Sequence, residues 1–185
     1  RGVARPNRLI LFIDHTAASS PNRQLARLAR RGLEIVVTDG FGPHTKYFPF
    51  VRGTSRPSPT MVTADDDVIY PRWWLRCLVA AYDSEPDCVH CYRGREILFD
   101  GHRLARYATW PLALGDTSSH SILPNGVSGV LYPPGVVDHI REAGQKFLDV
   151  TPLNDDIWLH AVALRAGYRA RLVTGQSLDF LTVPA

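Results

Sequence analysis

Nowhere does the 185-residue sequence stay apolar for the ~20 residues that a membrane-spanning helix needs, so no membrane span is expected. The opening RGVARPNRLILFID shows no signal-peptide pattern, and its LILFID run reads as a buried strand. Cysteine is scarce. Three residues, Cys77, Cys88 and Cys91, are too few for a disulfide framework and suit a reducing, cytoplasmic setting. Cys88 and Cys91 do form C-V-H-C, but alternation makes that stretch a strand, in which side chains three apart point to opposite faces. No second Cys/His pair stands at ligand spacing to complete a zinc site. Basic residues are not interleaved with aromatics, which gives nucleic acid little support as a partner. Repeats, low-complexity tracts and linker-like stretches are also missing, so residues 1–185 are expected to form a single domain, large enough to bury a core.

What is present is ordinary in bulk and uneven in detail. Apolar residues make up 45% and charged residues 21%, as in a soluble globular protein. The net charge is only +3, yet residues 1–56 hold ten basic and three acidic residues. Residues 57–185 hold eleven basic and fifteen acidic ones. Such a split suits an anionic ligand held partly by cations and partly by a carboxylate-bound metal. Arg23, Arg27, Arg30 and Arg31 fit a solvated helix face around Leu25 and Leu28 better than a ligand site.

Strand and helix alternate in the first third. LILFID (9–14) is followed by a loop, HTAASS, and by a helix that Ser20 would cap and Pro21 would open, ending at Gly32. LEIVVTD (33–39) is the next buried strand. This β-α-β spacing predicts a mainly parallel central sheet with crossover helices. After a Gly- and Pro-rich loop, the apolar run of MVTADDDVIYP ends in three carboxylates. Pro71 then opens a helix with Trp74, Leu75, Leu78, Val79 and Tyr82 inward. CVHCYRGREILF supplies one or two strands, and residues 107–135 read as irregular. Asn154 would cap a last strong helix, with Ile157, Trp158, Ala161 and Leu164 buried and Gly167 as its stop. YRARLVT supplies a final strand.

Three segments carry chemistry. In Asp65-Asp66-Asp67, adjacent carboxylates repel, and a hard divalent cation, Mg²⁺ or Mn²⁺, relieves that repulsion. Strand ends in open α/β sheets are also where ligands bind. The bland alternative is an acidic turn leading into the helix at Pro71. In Asn154-Asp155-Asp156, carboxylates in a first helical turn gain from the helix dipole; the functional alternative makes one a general base. In Pro124-Asn125-Gly126-Val127-Ser128-Gly129, glycines permit a tight turn or a close approach of backbone to ligand.

Taken together and in this order, the three segments resemble the GT-A glycosyltransferases, particularly bacterial ones that build surface polysaccharides. The likeness runs from LILFID to the helix after Asn154. Asp65-Asp66-Asp67 stands at the DxD-like motif, NGVSGVLYP at the glycine-rich acceptor-side loop, and Asn154-Asp155-Asp156 at the x-E-D-like motif. GPHTK also looks like the family's, with Lys46 as a diphosphate or donor contact. The resemblance implies a GT-A-like, Rossmann-like fold and a metal-dependent, inverting sugar transfer from a nucleoside-diphosphate sugar to a carbohydrate or other hydroxyl acceptor. It makes Asp67, with Asp65, the ligands of Mn²⁺ or Mg²⁺, and places Lys46, Asp65, Asp66, Asn125 and Gly126 on the donor side. Asp156 becomes the base for the acceptor hydroxyl, with Asp155 the next candidate. Trp110, Asn125 and Gly126 would shape the sugar pocket.

Two departures stand out. The strand and helix that usually precede the segment resembling LILFID find no room here, which leaves three alternatives: a truncated chain, a donor site completed by a further segment or a second chain, or a minimal form. No histidine follows His160, where a C-terminal metal ligand is usual. Two other functions fit the same residues: a catalytically silent nucleotide- or carbohydrate-binding domain, and a metal-dependent phosphoryl-transfer or hydrolytic enzyme.

Overall fold

Residues 2–19 and 22–183 are described in a computed structural model of the chain. Strand β1 (Leu9–Asp14) pairs in parallel with β2 (Leu33–Thr38), in register from Leu9 beside Leu33 to Asp14 beside Thr38. Between them, HTAASS is not a plain loop. Asp14 Oδ1 accepts the Ala17 amide at 2.7 Å and caps a one-turn helix, α1 (His15–Ala18). Helix α2 (Arg23–Ala29) is capped by Asn22, whose Oδ1 accepts the amides of Gln24 and Leu25. Ser20 and Pro21, expected to start this helix, lie outside the described residues. Its arginines stand on an exposed helix in which no residue is buried.

The chain continues through α3 (Phe48–Gly53), β3 (Met61–Thr63), β4 (Val68–Ile69) and α4 (Trp74–Ser84). Next come β5 (Cys88–Cys91), β6 (Gly94–Glu96), β7 (Phe99–Asp100), β8 (Arg103–Leu104), β9 (Ile122–Pro124) and β10 (Val130–Tyr132). Helices α5 (Pro134–Ala143), α6 (Phe147–Val150) and α7 (Asp155–Arg165) follow, then β11 (Arg169–Leu172) and β12 (Leu181–Thr182). None of the described helices is long and apolar enough to cross a membrane.

The molecule is mixed α/β, but its central sheet is not mainly parallel. Four strands lie in the order β11-β5-β10-β3; β11 runs parallel to β5, while β10 is antiparallel to both β5 and β3. The cause lies in residues 92–129. A parallel return needs a crossover, usually a helix, but this stretch forms β6–β9, the β7–β8 hairpin and two single 3-10 turns, so the chain comes back antiparallel. Strand β3, which leads to the acidic triplet, is an edge strand of this sheet rather than a central one.

The main core lies between this sheet and α3, α5, α6 and α7. Phe147 is at its centre, stacked on His44 at 4.1 Å and meeting Phe48 edge-on at 5.0 Å and Trp158 at 6.2 Å. The smaller core behind α4 contains Leu78, Tyr92 and Leu131. Two inward faces differ from the expected ones. In α4, Val79 is exposed and Leu78 is the buried residue; in α7, Ile157 is exposed, while Asp155, Trp158, Leu159, His160, Val162 and Ala163 are buried. Helix α7 is covered on more than one side, so no single stripe predicts its buried residues. Cys88 and Cys91 are both buried in β5, with separate partners: Glu85 Oε1 for one sulfur and the Arg171 carbonyl for the other.

Candidate functional site: a half-buried lysine among three aspartates

Four segments far apart in sequence meet at one point. The first is GPHTK. His44 is buried, with Nδ1 2.8 Å from the Tyr47 hydroxyl and Nε2 2.8 Å from the Thr151 carbonyl. The Phe41 amide donates to Thr45 Oγ1 at 2.8 Å. These bonds fix a single 3-10 turn, His44–Lys46, and present the Lys46 ammonium inward. Its Nζ lies 2.7 Å from Asp65 Oδ1 and 3.1 Å from Asp155 Oδ2. Burial works against the ammonium charge, but the Asp155 and Asp65 carboxylates overcome it and raise the Lys46 pKa above the ordinary lysine value.

Asp65 follows β3 by two residues. Its position is set by Tyr70, whose hydroxyl accepts the Asp65 amide at 2.9 Å and donates to the Val127 carbonyl at 3.0 Å. One phenol thus ties the loop after β3 to the glycine-containing turn. Burial pushes the Tyr70 hydroxyl up to about 12, so it stays a neutral donor.

The third segment is Asn125–Gly129. The Gly126 amide donates to Asp156 Oδ1 at 2.9 Å. A Cβ on Gly126 would sit 2.9 Å from that same oxygen and 3.4 Å from Lys46 Nζ, so any larger residue would crowd both. Gly129 has φ +94°, and a Cβ there would run into the Trp74 indole at 2.3 Å. That indole donates to the Ser128 carbonyl at 2.8 Å and locks the turn.

The fourth is the start of α7, where Asn154 Oδ1 accepts the Ile157 amide at 2.9 Å as the expected cap. Asp155 is buried and faces Lys46. Burial, then the neighbouring Asp155 charge, pushes Asp156 up to about 6; Lys46, the Gly126 amide and the Asn125 side chain pull the other way. Asp156 is therefore a carboxyl that gains or loses its proton near neutrality, which is what proton transfer requires.

Lys46, Asp65, Asn125, Gly126, Asp155 and Asp156, all singled out from sequence, are thus brought together. Asp66 and Asp67 are not. Both are exposed on the turn between β3 and β4, so strand alternation does not govern the triplet. The Asp67 carbonyl accepts the Val183 amide beside the β4–β12 pairing. Among the described residues no three carboxylate, imidazole or thiolate groups converge as a metal site. Trp110 is buried, its indole donating to the Ala105 carbonyl at 3.1 Å, and it backs Tyr107 rather than offering a face to a sugar. His160 is also buried, and burial lowers it to about 4.

Sequence reasoning missed the site roles of Tyr70, Trp74 and Tyr107, and read Trp74 only as an inward residue of its helix. Tyr107 is exposed, its hydroxyl 3.4 Å from Asn125 Nδ2 and its ring 5.0 Å from the Arg95 guanidinium carbon. No pattern marks these roles, because each rests on a tertiary bond to a backbone or side chain more than fifteen residues away. Two concave regions, a cleft of about 330 Å³ lined in part by Cys77, Ser84 and Arg171 and one of about 180 Å³ lined in part by His139, Lys146 and Arg165, share no residue with the cluster. The chain matches no protein-family model and no curated protein, so the geometry of the cluster carries the functional reading.

Proposed function

We propose that the chain is a glycosyltransferase of GT-A type that moves a sugar from a nucleoside-diphosphate sugar to an acceptor hydroxyl with inversion. The observation that supports it is the convergence of Lys46, Asp65, Asn125–Gly126 and Asp155–Asp156 around one carboxyl with a raised pKa. Asp156 takes the proton of the acceptor hydroxyl as its oxygen bonds to the anomeric carbon; the bond from that carbon to the diphosphate breaks, and the nucleoside diphosphate leaves with the electron pair. The Gly126 amide fixes one Asp156 oxygen and so orients the carboxyl. Lys46 holds Asp155 and Asp65 in place and offsets part of their charge.

Mg²⁺ and Mn²⁺ commonly bind through one or two carboxylates plus substrate phosphates rather than in an all-protein cage. Exposed Asp67, with Asp65 nearby in the same turn, fits that mode and not a preformed three-ligand site. A cation held there would neutralise charge on the departing diphosphate. Calorimetry with uridine, guanosine and adenosine diphosphates tests this. Binding should require Mn²⁺ or Mg²⁺ and weaken at least about tenfold in Asp67→Asn, from the loss of one ligand to the cation. Equal affinity in the presence of chelator would remove the metal from the account.

A second reading has one observation behind it. The Lys46 ammonium already pairs with both Asp65 and Asp155, as expected of a binding domain without catalysis. Nucleotide binding without sugar transfer or sugar-nucleotide hydrolysis would favour it.

A further inference from the structure

We propose that the β7–β8 hairpin is a membrane-surface anchor that seats on anionic phospholipid. The hairpin turns at Gly101-His102, with φ +61° at Gly101. Phe99 and Leu104 are a directly opposed pair, so both side chains lie on one face; they are 65% and 61% exposed. Leu98, 38% exposed, precedes Phe99, and Tyr107, 48% exposed, follows the hairpin. The opposed pair on the other face is Asp100 and Arg103, and Arg106 follows; all three are exposed. Burying side chains as large as Phe99 and Leu104 is favourable, and leaving them in water on a two-residue turn serves no packing purpose within the chain.

The chemistry of this surface selects the occupant. Apolar side chains at a projecting tip, with arginines whose long stems can keep the charge in the headgroup layer, match an anionic bilayer interface. A stable contact with a second copy of the chain needs ~800 Å² from each partner, more than a six-residue hairpin offers. Seating would also orient the molecule, because Tyr107, just beyond the hairpin, reaches Asn125. The proposal stands independently of the glycosyl-transfer reading.

Flotation of the intact chain with phosphatidylcholine vesicles, and with mixed phosphatidylglycerol–phosphatidylcholine vesicles, tests it. The chain should float with the mixed vesicles and much less with the neutral ones. Phe99→Ser with Leu104→Ser should lower partitioning at least about tenfold. Arg103→Gln and Arg106→Gln should each lower it about fivefold on anionic vesicles and leave neutral vesicles unaffected. All four side chains are exposed, and circular dichroism would verify that the variants keep their fold. A chain that stays unbound on both vesicle types, or hairpin variants that float like the parent, would overturn the proposal. A dimer in light scattering that the Phe99 and Leu104 substitutions dissolve would also overturn it, assigning the hairpin to a second copy.

Discussion

Six residues of β1 and six of β2 pair in unbroken parallel register, yet among them only Thr38 is buried, whereas all three residues of β10 are buried. Val36 and Val37 are 36% and 46% exposed in β2, and Leu28 of α2 is 44% exposed. The first unit is thus the more regular and the less covered. Its apolar runs specify strands well, but pattern alone cannot say what lies on either side of a strand. The sheet that carries the cluster is the opposite: short strands and irregular turns, held by a dense core around Phe147 and by single side-chain bonds. Regularity and local stability need not go together.

The largest expected effect on stability sharpens that contrast. Phe147→Ala should cost about 3–5 kcal/mol, because it opens a cavity among His44, Phe48 and Trp158. Phe12→Ala, in partly covered β1, should cost no more than about 1–2 kcal/mol. Urea unfolding of both variants measures the difference, and equal losses would break the comparison.

A smaller effect appears with pH. Asp156 is raised from 3.8 to about 6 in the folded chain, so its bound proton favours folding fully below the unfolded value. That contribution is lost as the pH rises through about 6. Asp156→Asn has nothing to ionise at that position, so its stability relative to the parent should rise by about 2–3 kcal/mol between pH 4 and 7. Melting at several pH values checks the sign. A parent that gains on the variant as pH rises would mean that Asp156 is stabilised as the charged form.

The smallest effect belongs to the exposed unit. Arg8 and Glu34 form a close ion pair, with Arg8 Nη2 2.6 Å from Glu34 Oε2, at 57% and 41% side-chain exposure. Solvent and salt screen such a pair. Thermal melts of Arg8→Ala should be indistinguishable from those of the parent.

Much of this was legible in the residues. LILFID gave β1 to the residue, Asn154 was readable as a cap from its side chain and the run behind it, and the order of the GPHTK, DDD, NG and NDD segments marked six residues that meet in space. Sheet direction was not readable, because it depends on residues 92–129 forming strands instead of a crossover helix. The split of the acidic triplet was hidden too. Asp65 turns inward because Tyr70 holds its amide and Lys46 meets its carboxylate, while Asp66 and Asp67 stay on an exposed turn. Adjacent identical residues carry no signal of which one a distant lysine will bind.

The claim that Asp156 is the base at the centre of this cluster has one direct test: sugar transfer and melting temperature measured together on Asp156→Asn. The asparagine can still accept the Gly126 amide and removes a carboxylate whose charge is unfavourable where it lies. The account predicts turnover reduced about 10²–10⁴-fold with a melting temperature equal to or above that of the parent at pH 7. Full turnover in the folded variant would contradict it and move the search for the base to Asp155.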